Sequence, residues 1–373
     1  MNMHKAFHGG KSFEAIGEDF RNLERAGAVI NADVLDAWFD PSPRVVEKIL
    51  RFFPFLARTS PPIYAAGLVF AIARSRGTAE DCILTGGGSS DLIFTCFPHL
   101  FSGIHNAMIL DPMYGEYRHV LRELLEVDAI CFDLHKEEDF RIDTDRLLAQ
   151  ALTKRPEVVV IVNPNSPTGQ HWAHSEIIRF LDRIPECMMV VIDETYIEYA
   201  GSGQSVEREA CKRPNLIVLK SMSKVYALSG MRVGYLVAHP STIRVLAKWL
   251  PPWAVGLPAQ VAAVEALSDD AYYASRYQET HLLREELVCC LRQHSQIRVY
   301  PSMTNLVLIE TQSSAQEVVE RMRESNVFIR NCDSMSRRFA DRFLRIAVKR
   351  APENSRIVAA LSQAVSTPPV IRF

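Results

Sequence analysis

No apolar run in this chain reaches the roughly 18 residues that a membrane helix needs. The opening segment Met1–Lys11 has no apolar core of the kind a secretory signal carries. The eight cysteines are scattered, without a C-x-x-C pair, and the adjacent Cys289 and Cys290 cannot bridge each other within one helix. All eight read as reduced packing thiols. Charge of one sign is missing too: 42 basic residues stand against 44 acidic ones, a net of −2. Such a chain has no overall field to draw nucleic acid or an anionic membrane. Internal repeats, low-complexity tracts and a G-x-G-x-x-G fingerprint are also absent. A cytoplasmic, water-soluble protein is expected. What remains is 48% hydrophobic residues spread over 373 positions, enough for a large core and about two domains.

From residue 82 to about 238 short apolar runs alternate with helical patterns. Strands are expected at 82–85, 107–110, 127–132, 157–162, 188–192, 215–219 and 232–238. This rhythm predicts a mostly parallel sheet with helices on both faces. Pro251-Pro252 then punctuates the chain. Residues 258–293 read as one helix, with His281–Glu286 as its solvated face. Short strands at 297–300, 305–310 and 343–348, with helices at 314–325 and 352–366, predict a smaller α+β domain. The expected division is an arm at 1–40 joining the small domain, a large domain at 41–265 and a small domain at 266–373.

Open α/β sheets bind ligands at the carboxyl ends of their strands, and four such ends carry chemistry. Ser221-Met222-Ser223-Lys224 follows Leu216–Leu219, with Arg232 eight residues on. A lysine flanked by hydroxyls and backed by an arginine suits a phosphorylated aldehyde: the amine condenses with the aldehyde, and the hydroxyls and guanidinium hold the phosphate. The plainer reading is a solvated loop lysine. Asp193-Glu194 ends 188–192, where a carboxylate can pair with a protonated ring nitrogen, and Tyr196 can reach the ring's oxygen; alternatively, Asp193 merely caps a turn. Gly86-Gly87-Gly88-Ser89-Ser90 precedes a helical run, so its backbone N–H groups can close on an anion, or its serines can simply cap the helix. Tyr114, after 107–110, can stack on a ring or sit half-buried in a turn. Asn163-Pro164-Asn165-Ser166-Pro167-Thr168-Gly169 makes a stiff turn after 157–162.

As a set, these segments resemble the fold-type I pyridoxal-phosphate enzymes of the class I/II aminotransferase superfamily. The likeness is strongest to the branch of histidinol-phosphate aminotransferase and L-threonine-O-3-phosphate decarboxylase. It covers essentially the whole chain, from His8-Gly9-Gly10 through NPNSPTG, Val191–Glu198 and Ser221–Tyr235 to Val327–Cys332 and Leu344–Val348. The resemblance implies an α/β fold-type I transferase with a mostly parallel seven-stranded sheet sandwiched by helices. It implies a homodimer using pyridoxal 5'-phosphate and no metal. Lys224 is then the catalytic residue and the covalent anchor. Asp193 pairs with the ring nitrogen, Tyr196 with the ring oxygen, and Tyr114 stacks. Gly88, Ser89, Ser90, Ser221, Ser223 and Arg232 surround the phosphate. Arg345 grips the substrate carboxylate, while Arg330 and His8 hold a distal phosphate.

The chain departs from the family at several places. Ser166 stands where an asparagine usually bonds the ring oxygen, with Asn165 one residue earlier. Arg58-Thr59-Ser60-Pro61-Pro62 lacks the tyrosine that crosses the dimer to the phosphate, leaving Ser60 or Tyr64 for that task. Gly256 replaces another usual asparagine. The His8-Gly9-Gly10 opening and Arg330 favour decarboxylation of a phosphorylated or otherwise anionic amino acid. The alternative is an aminotransferase of the histidinol-phosphate type, and a non-catalytic binding domain is a third reading.

Overall fold

The computed structural model describes residues 9–366. His8 lies outside the described residues. Among them the strands are β1 (Ile30–Ala32), β2 (Ile83–Gly86), β3 (Ala107–Asp111), β4 (Ile130–Asp133), β5 (Val158–Val162), β6 (Met189–Asp193), β7 (Leu216–Ser221), β8 (Gly234–Ala238), β9 (Ile297–Val299), β10 (Leu306–Thr311), β11 (Val327–Asn331) and β12 (Phe343–Ala347).

Seven strands form the main sheet in the order β2-β8-β7-β6-β5-β3-β4. The pairs β3–β4, β3–β5, β5–β6 and β6–β7 are parallel, and β8 runs against both neighbours. The mostly parallel seven-stranded sheet expected from the sequence is therefore present. Its central strands read as unbroken apolar runs because both faces are covered: every residue of β3, β5 and β7 is buried. Parallel pairing also puts the carboxyl ends of β3, β5, β6 and β7 on one side, with the start of β8 and the end of β2 beside them. Asp111, Val162, Asp193, Ser221, Gly234 and Gly86 thus share one rim.

A second sheet has the order β1-β11-β12-β10-β9. Here β1 pairs parallel with β11, which ties the N-terminal segment to the last third of the chain. Neither β1 nor β11 is among the strands expected from the sequence. β1 is only three residues long, and Arg330 and Asn331 break the apolar pattern of β11. The expected helix over 258–293 is two helices, Leu257–Leu267 and Asp270–Leu291, separated at Ser268-Asp269, where the Ser268 hydroxyl donates to the Glu265 carbonyl. Its expected solvated face holds in part, since Glu285 and Glu286 are exposed. Arg284 is buried, donating to the Thr304 carbonyl at 3.2 Å and bonding His281 Nδ1 at 2.7 Å. Cys82, Cys96 and Cys332 are buried thiols, whereas Cys187, Cys289 and Cys290 are exposed; all eight are free. No described helix is long and apolar enough to cross a membrane.

Gly234 decides how closely β8 approaches the β2 turn. A Cβ there would sit 2.9 Å from the Gly88 carbonyl carbon, the Ser89 nitrogen and the Lys220 oxygen, all backbone atoms that cannot swing aside. Gly234→Ala is expected to lower stability by about 1–3 kcal/mol through overpacking. Urea unfolding would measure it, and an unchanged midpoint would refute the close approach.

Candidate active site

The rim opens into a cavity of about 270 Å³. Ser89, Ser90, Tyr114, Ser166, Asp193, Tyr196, Ser221, Ser223, Lys224, Arg232, Arg330 and Arg345 all line it. Two sequence candidates stand behind the wall instead. Asn165 is fully buried, and its amide nitrogen donates to the Pro112 carbonyl and the Thr168 hydroxyl, each at 3.0 Å. It braces the turn that presents Ser166. Gly88 packs against Arg232: with φ near +100°, a Cβ would lie 2.6 Å from an Arg232 guanidinium nitrogen. The backbone conformation favours glycine there, and a Cβ would also displace the Arg232 guanidinium.

One end of the cavity gathers hydroxyls and a cation. Helix Ser89–Leu100 starts at the cavity wall, where Ser89 and Ser90 line it, and no side chain caps its first N–H groups. Arg232, held at a left-handed φ of 53°, donates to the Ser223 hydroxyl at 3.3 Å and the Ser229 carbonyl at 3.0 Å. Ser90 is engaged differently. Its hydroxyl lies 3.0 and 2.9 Å from the two carboxylate oxygens of Glu116, a cavity-lining acid that no motif marks.

Asp193 ends β6 almost wholly buried. One carboxylate oxygen accepts from the Thr195 N–H at 2.9 Å and the Thr195 hydroxyl at 2.6 Å; the other accepts from the Tyr117 hydroxyl at 2.7 Å. Burial pushes its pKa up, and these neutral donors only partly oppose the shift. Sequence reasoning missed Tyr117 and Thr195 because a tyrosine three residues after Tyr114 and a threonine two after Asp193 have no signature of their own.

Across the cavity Arg345, on β12, is fixed on both sides. It donates to the Ser166 hydroxyl at 3.0 Å and to the Asp33 carbonyl at 2.8 Å. Arg330, directly opposite it in the β11–β12 register, lies 3.7 Å from the Asp33 carboxylate. Asp33 also accepts from the Gly10 N–H at 3.0 Å. Lys224 Nζ reaches over to Asp36 at 2.7 Å. Burial lowers the Lys224 pKa, Arg345 and Arg232 push the same way, and Asp36 opposes them. Asp33 and Asp36 were not singled out in the sequence, where they are isolated acids in the mostly apolar stretch 30–39.

Behind Asp193 lies a closed ionic cluster. Lys220 stands 3.3 Å from Glu194 and 3.0 Å from Glu198, and Arg76 is 3.0 Å from Glu198 and 3.9 Å from Glu207. Three carboxylates share two cations. Burial raises the Glu194 pKa to about 7, with Lys220 pulling it back. A carboxyl raised in the folded state binds more protons there than in the unfolded chain. Stability therefore falls as pH rises from the unfolded value near 4.5 to about 7. Glu194→Gln is expected to flatten that fall, whose slope is at most about 1.4 kcal/mol per pH unit for one group. Urea midpoints taken between pH 5 and 8 test it, and parallel curves for both proteins would contradict the assignment.

The family described as aminotransferase class I and II matches residues 32–361. The chain belongs to that family. It is accordingly an enzyme, and its cofactor is pyridoxal 5'-phosphate. The Methanocaldococcus jannaschii histidinol-phosphate aminotransferase is 29% identical over 358 residues, covering 94% of each chain. Histidinol-phosphate aminotransferase 2 of Archaeoglobus fulgidus is 30% identical over 346 residues, covering 93% of this chain and 95% of its own. Among solved structures, Sinorhizobium meliloti histidinol-phosphate aminotransferase with pyridoxal-5'-phosphate superposes at TM-score 0.82 with 23% identity, over 96% and 95% of the two chains. Porphyromonas gingivalis L-threonine-O-3-phosphate decarboxylase superposes at 0.78 with 22% identity, over 91% of this chain and all of its own. At these identities the solved structures share the fold of this chain.

Proposed function

We propose that this enzyme is an aminotransferase of the histidinol-phosphate type, acting at Cα of an anionic amino compound. The observation that carries this reading is Arg345, fixed between Ser166 and the Asp33 carbonyl with its guanidinium facing the cavity that Lys224 enters. The names of the curated relatives support transamination over the decarboxylation suggested by the His8-Gly9-Gly10 opening.

The residues present fit the cofactor. Asp193 is a buried carboxylate whose bonded partners, Thr195 and Tyr117, are neutral, and a protonated ring nitrogen supplies the missing positive charge. The cup of Ser89, Ser221, Ser223, Arg232 and a helix N-terminus suits a phosphate dianion. Glu116 draws Ser90 away from that cup, so Ser90 contributes through Glu116 and Tyr114 more than as a phosphate donor. When bound, the cofactor supplies an electron sink for the pair left at Cα. Tyr114 forms a flat wall of the cavity, and the Tyr196 hydroxyl, kept protonated by burial, is a donor for the ring oxygen. Arg345 would hold a substrate anion in the cavity that Lys224 enters. Lys224 then takes and returns the proton at Cα.

We also propose that the working unit is a homodimer. Val46, Leu50 and Phe53 make an exposed apolar stripe on helix Pro43–Arg58, with Ile63, Tyr64 and Phe70 exposed beyond it. Paired substitution of Leu50 and Phe53 by Asp is expected to shift sedimentation from dimer to monomer. A native protein that sediments as a monomer would count against this.

The reaction is tested with purified holoenzyme. L-Histidinol phosphate with a 2-oxo acid acceptor should give acceptor-dependent amino transfer, and Lys224→Ala should lower the rate about 100-fold or more. Release of CO2 from O-phospho-L-threonine without an acceptor would overturn the transamination reading in favour of decarboxylation.

A further inference from the structure

Lys224 meets a carboxylate that belongs to no strand end. Asp36 lies in the segment after β1, which crosses from the second sheet to the rim of the first. Its Oδ1 is 2.7 Å from Lys224 Nζ and accepts from the Ser229 hydroxyl at 2.7 Å. Ser229 is itself anchored to the Ser223 carbonyl at 3.1 Å, so the carboxylate is fixed to the same loop that carries the lysine.

The other charged groups acting on this pair are cationic. Arg232 comes from the loop before β8, Arg345 from β12, and the buried Lys349 from the residues just after β12. Tyr196, from the end of β6, faces Asp36 with its hydroxyl protonated by burial. Three cations press the lysine amine towards its neutral form, and Asp36 is the acid that opposes them. Burial would raise the Asp36 pKa, but Lys224, Ser229 and Lys349 outweigh it and keep the carboxylate ionised.

We propose that Asp36 is a positioning residue for Lys224, aiming its amine and holding its proton from the loop that Ser229 anchors. The inference rests on the reading of Lys224 as the cofactor-bearing lysine. No bond between heavy atoms is made or broken in this role. The proton stays on nitrogen, hydrogen-bonded to Oδ1, and Lys224 can take a proton from Cα only after that first proton has passed to the Asp36 carboxylate. Asp36 thereby sets the pH above which Lys224 works as a base and below which it works as an acid.

The visible band of the holoenzyme reports protonation of the nitrogen that Lys224 contributes, so an absorbance titration against pH tests the role without turnover. Asp36→Asn is expected to move the midpoint down by about one pH unit or more, because an opposite charge within bonding distance is lost. Asp36→Glu should recover at least half of that shift. The low-pH limb of the kcat profile should move in the same direction, with KM changing less than kcat. Equal midpoints in wild type and Asp36→Asn, both folded and cofactor-loaded, would overturn the proposal. A wild-type holoenzyme with no titrating band would sink the cofactor reading of Lys224, and the role of Asp36 with it.

Discussion

A buried carboxylate with only neutral hydrogen-bond partners is the constraint around which this site is organised. Taking Asp193 out of water costs several kcal/mol, and two hydroxyls and one amide offset only part of that. A cation docked against the residue would offset the rest of that cost. The same cavity is lined by the Tyr114 ring, by Ser89, Ser221, Ser223 and Arg232, and by Lys224. The central β6 strand carries Asp193 into this position because parallel pairing on both sides fixes its register with β5 and β7.

The cup depends on backbone closeness as much as on its donors. Gly88 and Gly234 meet where β2 turns into helix Ser89–Leu100 and β8 begins, and the missing side chains let the helix N-terminus, Arg232 and Ser221 converge. Arg232 adopts a left-handed backbone to reach this point. Strain of this kind persists where surrounding structure over-determines it, and here the Ser223 and Ser229 contacts do so.

Much of this was legible in the sequence because parallel strands buried on both faces announce themselves as apolar runs, and the chemistry sits at their ends. Lys224, Asp193 and Tyr114 could be placed from that rule alone. The second sheet was less legible. β11 carries Arg330 inward among apolar residues, so its polar members disguise a buried strand. Tyr117, Thr195 and Glu116 act by holding other site residues, and such support has no spacing signature. Asp33 reaches the cavity, and Asp36 reaches Lys224, through β1, whose pairing with β11 spans nearly three hundred residues and cannot be read from local pattern. Arg284 alone departs from the expected solvated face, because its guanidinium finds the Thr304 carbonyl, whereas Glu285 and Glu286 stay exposed.

The charges that the sequence hid also bear on which bond at Cα breaks. Arg330 faces Asp33 and therefore meets a substrate with part of its charge already balanced, whereas Arg345 is held by a hydroxyl and a carbonyl and keeps its full charge for an anion. The stronger anchor is thus the one beside Ser166, on the side of the cavity next to Asp193 and Lys224. A substrate anion drawn to that anchor would be held beside Ser166, leaving the Cα proton as the group for Lys224 to move. A distal phosphate would have to compete with Asp33 for Arg330. A substrate whose distal end brings hydrogen-bond donors for Asp33 as well as negative charge for Arg330 would satisfy both, and a bare phosphate close to Cα would satisfy only one.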